Sequence, residues 1–180
     1  MNRVPLIDRA DTSAERKALL DAIHGAFGAT PNMFRAVANS PAALKSMWGS
    51  FGALGGGTLG AKLGEQIAVA VADHNACSYC LATHTVLGQK ADTSAEEMAA
   101  AQLGESSDPK TQAALLFALK VVGQRGQVSS ADVQALRDAG YSDEAVVEIL
   151  AHVALNLFTN YVNVAFAVPV DFPAVKLSSG

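Results

Sequence analysis

Two cysteines and one histidine stand close together in a single segment, CSYCLATH, at residues 77–84. The chain contains only these two cysteines, and they are three residues apart. On a helix this spacing places both sulfurs on one face, with their Cα atoms roughly 5 Å apart. A disulfide needs a Cα separation of about 4.4–6.8 Å. Cys77 and Cys80 can therefore close into a disulfide and reopen with little backbone movement, as a redox dithiol must.

A carboxylate is placed to reach the histidine of this segment. Glu65 lies ten residues before Asn75, where we expect a turn between two antiparallel helices, and His84 lies nine residues after it. At a rise of about 1.5 Å per residue, Glu65 and His84 come to nearly the same height. His84 is also one helical turn from Cys80, on the same face. The sequence thus predicts a carboxylate, an imidazole and a thiol in a row, an arrangement that activates a nucleophile.

The chemistry of such a site is that of an ionised thiol. A free cysteine has a pKa of about 8.5, and a nearby histidine or helix N-terminus favours its thiolate. A thiolate that attacks a peroxide oxygen becomes a sulfenic acid, and a second thiol condenses with it before further oxidation. This chemistry is expected to need Glu65 near the ring of His84 and thiols that solvent can reach. The helix dipole alone favours Cys77, nearest the N-terminus, as the thiol of lower pKa.

Composition limits the classes of partner. Of 180 residues, 50% are apolar and 17% are charged, which predicts one domain over residues 1–180 and a surface suited to self-association. The formal net charge is −4 and Lys and Arg form no run, so we expect no nucleic-acid partner. The N-terminus lacks the apolar region of a secretory signal. The apolar stretch 146–170 is interrupted by polar residues, which predicts a buried helix and no membrane span. Two close cysteines without an export signal favour a cytoplasmic location.

Every strong local signal is helical, so the predicted fold class is all-α. A capping box at Thr12–Glu15 predicts an N-terminal helix over about 12–27. A shift of 82 residues overlays Ser78-Tyr79 on Asn160-Tyr161, a weak sign of a degenerate internal repeat. Further helix N-caps are predicted at Ser40, Thr58, Ser94, Asp108, Ser129 and Ser142.

Two alternatives to a redox pair remain open. One Cys-x-x-Cys with a histidine supplies three of four zinc ligands, and Asp73 or His74 could be the fourth. Structural zinc sites usually draw on two ligand pairs separated by a loop, and this chain lacks the second pair. The redox interpretation is therefore preferred, and no metal or cofactor is expected. A buried, inert cysteine pair is the other alternative.

A row of polar residues interrupts the last apolar helix. Glu148, His152, Asn156 and Asn160 recur every four residues and therefore share one face. They could line an active pocket, form hydrogen bonds across a subunit interface or face solvent.

The arrangement Glu65, Cys77-x-x-Cys80-x-x-x-His84 resembles the motif of the alkyl hydroperoxidase D-like (AhpD-like) proteins of the carboxymuconolactone decarboxylase superfamily. Residues 30–34 and 159–161 also resemble the peroxidase-related branch of that family. The likeness covers about 29–173, which would be the core of the domain. It implies a multi-helix fold with the cysteines on a helical hairpin, and assembly into trimers or hexamers.

The resemblance also implies residue roles. Cys80 would be the thiol that attacks the peroxide, and Cys77 would supply a proton and then form the disulfide. Glu65 and His84 would form the proton relay. Some relatives carry a histidine between the cysteines where this chain has Tyr79, and a phenol with a pKa of about 10 cannot replace it as a base near neutral pH.

The function expected from the sequence is that of a thiol peroxidase like the alkyl hydroperoxide reductases. The enzyme would reduce an organic hydroperoxide to an alcohol through Cys77 and Cys80, and a protein dithiol would re-reduce it. Two other functions are considered. One is a cofactor-free decarboxylase of the same superfamily, whose members generally lack the cysteine pair. The other is a helical assembly module that is held together by zinc and is not an enzyme.

Overall fold

The computed structural model describes residues 2–178, which form nine helices and no strand. All-α is therefore confirmed as the fold class. The helices are α1 (Ala14–Phe27), α2 (Asn32–Val37), α3 (Pro41–Gly55), α4 (Gly60–His74), α5 (Ser78–Lys90), α6 (Ala95–Gln102), α7 (Pro109–Gly123), α8 (Ser130–Asp138) and α9 (Asp143–Ala165).

Helix α4 is the centre of the fold. It packs against α5, α6, α7 and α9, and every residue from Gln66 to Asp73 is buried. A helix that is buried on all sides must be apolar around its circumference, and the sequence IAVAVA at 67–72 meets this condition. Because α5 and α9 lie directly on α4, side chains from these three helices meet in the interior.

Capping residues set most of the helix boundaries. The side chains of Ser40, Ser94, Asp108, Ser129 and Ser142 each accept a hydrogen bond from the first turn of their helix, as predicted. Helix α1 differs, because it begins at Ala14 and its N-cap Ser13 makes no side-chain cap bond. The capping box predicted at Thr12–Glu15 is therefore wrong.

The start of α4 is capped by a residue from another helix. The N-cap position is Leu59, and the Thr58 side chain does not cap the helix as predicted. Instead, Glu148 of α9 accepts hydrogen bonds from the backbone N–H groups of Thr58 and Leu59, at 2.7 and 3.2 Å. Gly57 permits this approach, because a Cβ atom there would lie 2.8 Å from the Glu148 carboxylate.

Helix α9 packs on six other helices and leaves one side exposed. Among the described residues it is also the one helix long and apolar enough to cross a membrane, by length and composition only, a test that core helices also pass. It runs without a break through residues 157–159, which the 82-residue shift aligns with the turn between α4 and α5. The two segments of the proposed repeat therefore differ in local structure.

Candidate active site at the α4–α5 hairpin

The two cysteines lie at the N-terminus of α5. The chain turns tightly after α4, with Ala76 at a φ of 52°, and Cys77 is the N-cap residue of α5. The Cys77 sulfur accepts a hydrogen bond from the backbone N–H of Cys80 at 3.3 Å. Cys80 therefore lies in the first turn of α5, where the positive end of the helix dipole favours an anion.

Glu65 and His84 form an ion-pair contact across the hairpin. Oε2 of Glu65 lies 2.6 Å from Nδ1 of His84, and the two side chains are 22% and 10% exposed. Burial lowers the pKa of His84, but the Glu65 carboxylate and then Cys80 outweigh it, so the pKa is raised overall. With Nδ1 held by the carboxylate, Nε2 is the ring nitrogen left for proton exchange.

The two thiols have opposite pKa shifts. Burial raises the pKa of Cys80, but a hydrogen bond with Cys77, the charge of His84 and the amides of Asn163 and Asn160 lower it to about 7. The pKa of Cys77 is raised, first by its hydrogen bond to Cys80 and then by burial. The order predicted from the helix dipole is therefore wrong. The reason is first that the hydrogen bond between the two cysteines lowers the pKa of Cys80 and raises that of Cys77. The charge of His84 and the two amides then lower the pKa of Cys80 alone.

Both thiols are free and buried, with Cys77 1% and Cys80 2% exposed. The expectation of solvent-accessible thiols is therefore not met directly. Cys80 nevertheless lines a narrow apolar pocket of about 20 Å³, which is room for one water molecule. Cys77 is flanked by two exposed residues, Ala76 and Ser78, so the turn itself faces solvent.

The pocket beside Cys80 has an aromatic wall. The ring centroids of Phe34 and Phe51 are 5.8 Å apart, and those of Phe27 and Phe34 are 5.7 Å apart. These three rings, together with Tyr79 and His84, line the pocket. A pocket with this lining suits an apolar group.

A second cavity of about 150 Å³ has Glu65 and His84 in its wall. His152 and Asn156 of α9 also line it. Gly64 lets His152 approach α4, because a Cβ atom there would lie 3.1 Å from Cε1 of the imidazole. Burial lowers the pKa of His152, which keeps the ring neutral near pH 7.

The polar row on α9 therefore has three different surroundings. Glu148 caps α4, while His152 and Asn156 face the second cavity. Asn160 is fully buried, and Nδ2 of Asn75 donates to its Oδ1 at 2.9 Å. One polar residue beyond the row, Asn163, was not singled out by the sequence reasoning, and its Nδ2 donates to the Cys80 sulfur at 3.1 Å. Its position three residues after Asn160, on the same face, is the signal that could have identified it.

Tyr79 makes structural contacts and does not take the place of a histidine base. Its hydroxyl accepts a hydrogen bond from the backbone N–H of Met33 at 3.2 Å, which ties α2 to α5. Its ring packs edge-on against Phe172 at 5.9 Å. Burial raises the pKa of Tyr79, so it remains a neutral phenol.

The residues considered as a fourth zinc ligand are separated from the thiols. Asp73 accepts hydrogen bonds from Gln102 and the backbone of Ser178 at 2.8 and 2.9 Å, and His74 is exposed. Over residues 2–178 no group of three His, Cys, Asp or Glu side chains is arranged to hold a metal ion.

The comparisons with known proteins agree with this fold and hairpin. The model of the carboxymuconolactone decarboxylase family matches residues 41–124, which include Glu65, both cysteines and His84. An uncharacterized peroxidase-related protein from Ralstonia eutropha JMP134, described as an alkylhydroperoxidase AhpD core, aligns with a TM-score of 0.84 and 25% identity over 94% of this chain and 92% of that one. No curated protein matches this chain significantly.

Two further solved structures share the fold. A peroxidase-related protein from Silicibacter sp. TM1040 aligns with a TM-score of 0.82 and 24% identity, over 93% of this chain and 91% of that one. The debrominase Bmp8, solved with 2,3,4-tribromopyrrole, aligns with a TM-score of 0.80 and 21% identity over the same shares. Residues 41–124 thus match the carboxymuconolactone decarboxylase family, and the fold is similar to that of AhpD-like, peroxidase-related proteins, which confirms the resemblance predicted from the motif.

Proposed function

We propose that this protein is a thiol peroxidase that reduces organic hydroperoxides through Cys80 and Cys77. The observation that carries the proposal is the difference between the two thiols. Cys80 lines the apolar pocket and its pKa is lowered to about 7, whereas the pKa of Cys77 is raised. A thiolate beside an apolar pocket suits attack on an organic hydroperoxide, and a protonated second thiol suits the later resolving step.

The first step consumes the thiolate of Cys80. Its sulfur forms a bond to the outer peroxide oxygen, the O–O bond breaks, and the alkoxide leaves. The alkoxide takes a proton from the imidazolium of His84, which had received it from the Cys80 thiol, and becomes the alcohol. Sulfur is oxidised by two electrons to the sulfenic acid. The Glu65 carboxylate stabilises the imidazolium, because it lies 2.6 Å from Nδ1.

The second step forms the disulfide. The Cys77 sulfur attacks the sulfenic sulfur of Cys80, an S–S bond forms and water leaves. Both cysteines belong to the same helix terminus, so this step needs little chain movement. A protein dithiol then reduces the disulfide by exchange, which requires the exposed turn at Ala76 and Ser78 to open toward the partner. Such a dithiol donor is typical of the reducing cytoplasm, where we place the protein.

Trapping of the intermediate tests this function. The protein is treated with one equivalent of cumene hydroperoxide and then with dimedone, and the modified peptide is mapped by mass spectrometry. We expect the adduct on Cys80, accumulating in Cys77→Ser. Absence of an adduct at either cysteine, with peroxide left unconsumed, would contradict the proposal. Turnover of a lactone that survives thiol alkylation would instead indicate the decarboxylase, and one zinc per chain would indicate the assembly module.

A second candidate function is reductive debromination of a small aromatic compound. The aromatic wall of Phe27, Phe34 and Phe51 beside Cys80 is the observation that favours it, together with the debrominase of the same fold. In this reaction the carbon–bromine bond breaks, the ring carbon takes a proton, bromide leaves, and the dithiol is oxidised to the disulfide. Release of bromide from tribromopyrrole in the presence of dithiothreitol distinguishes the two functions.

We also propose that the protein self-associates through the exposed side of α9. Its outer side carries apolar side chains at helical spacing, with Val147, Leu150, Phe158, Tyr161 and Val164 between 38% and 65% exposed. An apolar strip of this length on one helix is typical of an interface with a second copy.

A further inference from the structure

We infer that the side-chain amides of Asn160 and Asn163 are catalytic groups that bind the Cys80 sulfur as a thiolate and then bind the oxygen it acquires. This inference rests on the proposed function and names two further residues at the same site. The two side chains are polar yet almost fully buried, since Asn160 is 0% and Asn163 is 4% exposed.

Each of the two side-chain amides has one polar atom in a hydrogen bond and one without a partner among the described residues. Asn75 donates to Oδ1 of Asn160, and Nδ2 of Asn163 donates to the Cys80 sulfur. The other two atoms, Nδ2 of Asn160 and Oδ1 of Asn163, are buried without a partner among the described residues. A buried amide atom without a partner costs folding free energy, so this arrangement is unfavourable for the resting structure alone.

The two unpartnered atoms are one donor and one acceptor, which suits the hydroxyl group that oxidation adds to the Cys80 sulfur. Nδ2 of Asn163 lies 3.1 Å from the Cys80 sulfur, and Asn160, one helical turn away on the same face of α9, also lowers the pKa of Cys80. When that sulfur gains a hydroxyl group, Nδ2 of Asn160 can donate to the new oxygen and Oδ1 of Asn163 can accept its proton. A sulfenic acid therefore completes the hydrogen bonding that a thiol leaves unfilled.

The positions of the two asparagines follow from helix geometry. They are three residues apart on α9, so both amides point from one face toward α5. The hydrogen bond from Asn75, in the α4–α5 turn, fixes the orientation of the Asn160 amide with its nitrogen away from that turn. The turn that places the cysteines therefore also orients one of the amides.

Titration of the thiol tests the inference without peroxide. The absorbance of the thiolate at 240 nm is followed against pH in a Cys77→Ser background that carries Asn160→Leu or Asn163→Leu. Each loss of a donor to a charged sulfur is expected to raise the pKa of Cys80 so that the thiolate population at acidic pH falls about tenfold. Asn160→Ala and Asn163→Ala, which only remove atoms, serve if a leucine variant does not fold.

The matched control is Thr159→Val, which removes a buried hydroxyl from the same helix. Its titration should coincide with that of the background protein. A pKa in both asparagine variants within a few tenths of the control would overturn the inference. The titration uses no peroxide, so its outcome is independent of the trapping experiment.

A second measurement addresses the oxygen. At pH 9, where every variant is a thiolate, dimedone-trapped Cys80 sulfenic acid should form about tenfold more slowly in Asn160→Leu than in Thr159→Val. Equal rates would remove the oxygen-binding part of the inference.

Discussion

Oε2 of Glu65 lies 2.6 Å from Nδ1 of His84, although the two residues belong to different helices. The pair links the second, larger cavity to the pocket beside Cys80, because His84 lines both. The contact fixes the ring and leaves Nε2 as the nitrogen that can exchange a proton. In the proposed mechanism the carboxylate therefore controls how readily the imidazole holds the proton taken from the Cys80 thiol.

Replacement of this carboxylate should slow thiol oxidation. Glu65→Gln keeps an oxygen near Nδ1 but removes the charge that raises the pKa of His84. The imidazolium becomes less populated, and we expect oxidation of Cys80 by cumene hydroperoxide at pH 7 to slow about 10- to 100-fold in stopped-flow measurements. Glu97→Gln, on the exposed surface in an ion pair with Lys62, is the matched control and should oxidise like the wild type. Equal rates for the two variants would exclude Glu65 from the relay.

The rate of the first oxidation step should follow the ionisation of Cys80. The reactive form is the deprotonated thiolate, and the pKa of Cys80 is lowered to about 7. The rate should therefore rise about tenfold per pH unit below that value and level off above it. Single-turnover measurements between pH 5 and 9 check this, and Glu65→Gln should move the midpoint upward. A rate that rises only near pH 9 would show that the thiol is not activated.

The two cysteine variants should fail at different steps. Cys80→Ser removes the activated thiolate, so we expect no rapid reaction with peroxide. Cys77→Ser should reduce one peroxide and form the Cys80 sulfenic acid, but it should not turn over, because no resolving thiol is present. Further peroxide then oxidises the sulfenic acid to higher states. Quench-flow combined with intact-mass measurement distinguishes one added oxygen from two or three. The reverse pattern would assign the attack to Cys77.

Local sequence rules predicted the framework well. Five of the predicted N-caps, among them Ser40 and Ser142, make the expected side-chain hydrogen bonds, because a cap depends only on residues within one helical turn. The proximity of Glu65 and His84 could also be predicted from the sequence, because a hairpin with a short turn fixes the register of its two helices. The short helix α2 was missed, because six residues starting after Pro31 carry too little periodicity and no side-chain cap.

Contacts made by α9 could not be predicted from local sequence in the same way. Thr58 was predicted to cap α4, but Glu148, 90 residues away, binds its backbone. The pKa order of the cysteines was predicted from the helix dipole, which both thiols share at the N-terminus of α5. The hydrogen bond with Cys77 and the charge of His84 are the larger causes of the lowered pKa of Cys80. The amide of Asn163, 83 residues away, adds to them, and only the packing of α9 on α5 brings it there.

The carboxylate of Glu148 should stabilise the fold only when ionised. Burial raises its pKa, but the hydrogen bonds from Thr58 and Leu59 outweigh this and lower it overall. A group with a lowered pKa in the folded state stabilises that state above its ordinary value, about 4.3 for glutamate, and loses the effect as the pH falls through the folded value. We expect Glu148→Gln to unfold at lower urea than the wild type at pH 7, with the difference shrinking below about pH 4.

Glu144→Gln is the control for this experiment, since its side chain is exposed at the start of the same helix. Its urea midpoint should stay near that of the wild type. A Glu148→Gln deficit that persists unchanged at pH 3 would mean that the shape of the side chain matters and its charge does not.

The exposed side of α9 should hold copies of the chain together. Val147 is 65% and Tyr161 is 60% exposed, although both are apolar or aromatic. Size-exclusion chromatography with light scattering should give a multiple of 18.6 kDa, as a trimer or hexamer would. The double variant Val147→Glu, Tyr161→Glu places charges in the interface and should shift the protein to monomers, because a buried unpaired carboxylate is strongly unfavourable. Leu116→Glu, equally exposed at 58% but on α7, should leave the mass unchanged. A wild-type mass of one chain would show instead that this surface has no self-association function.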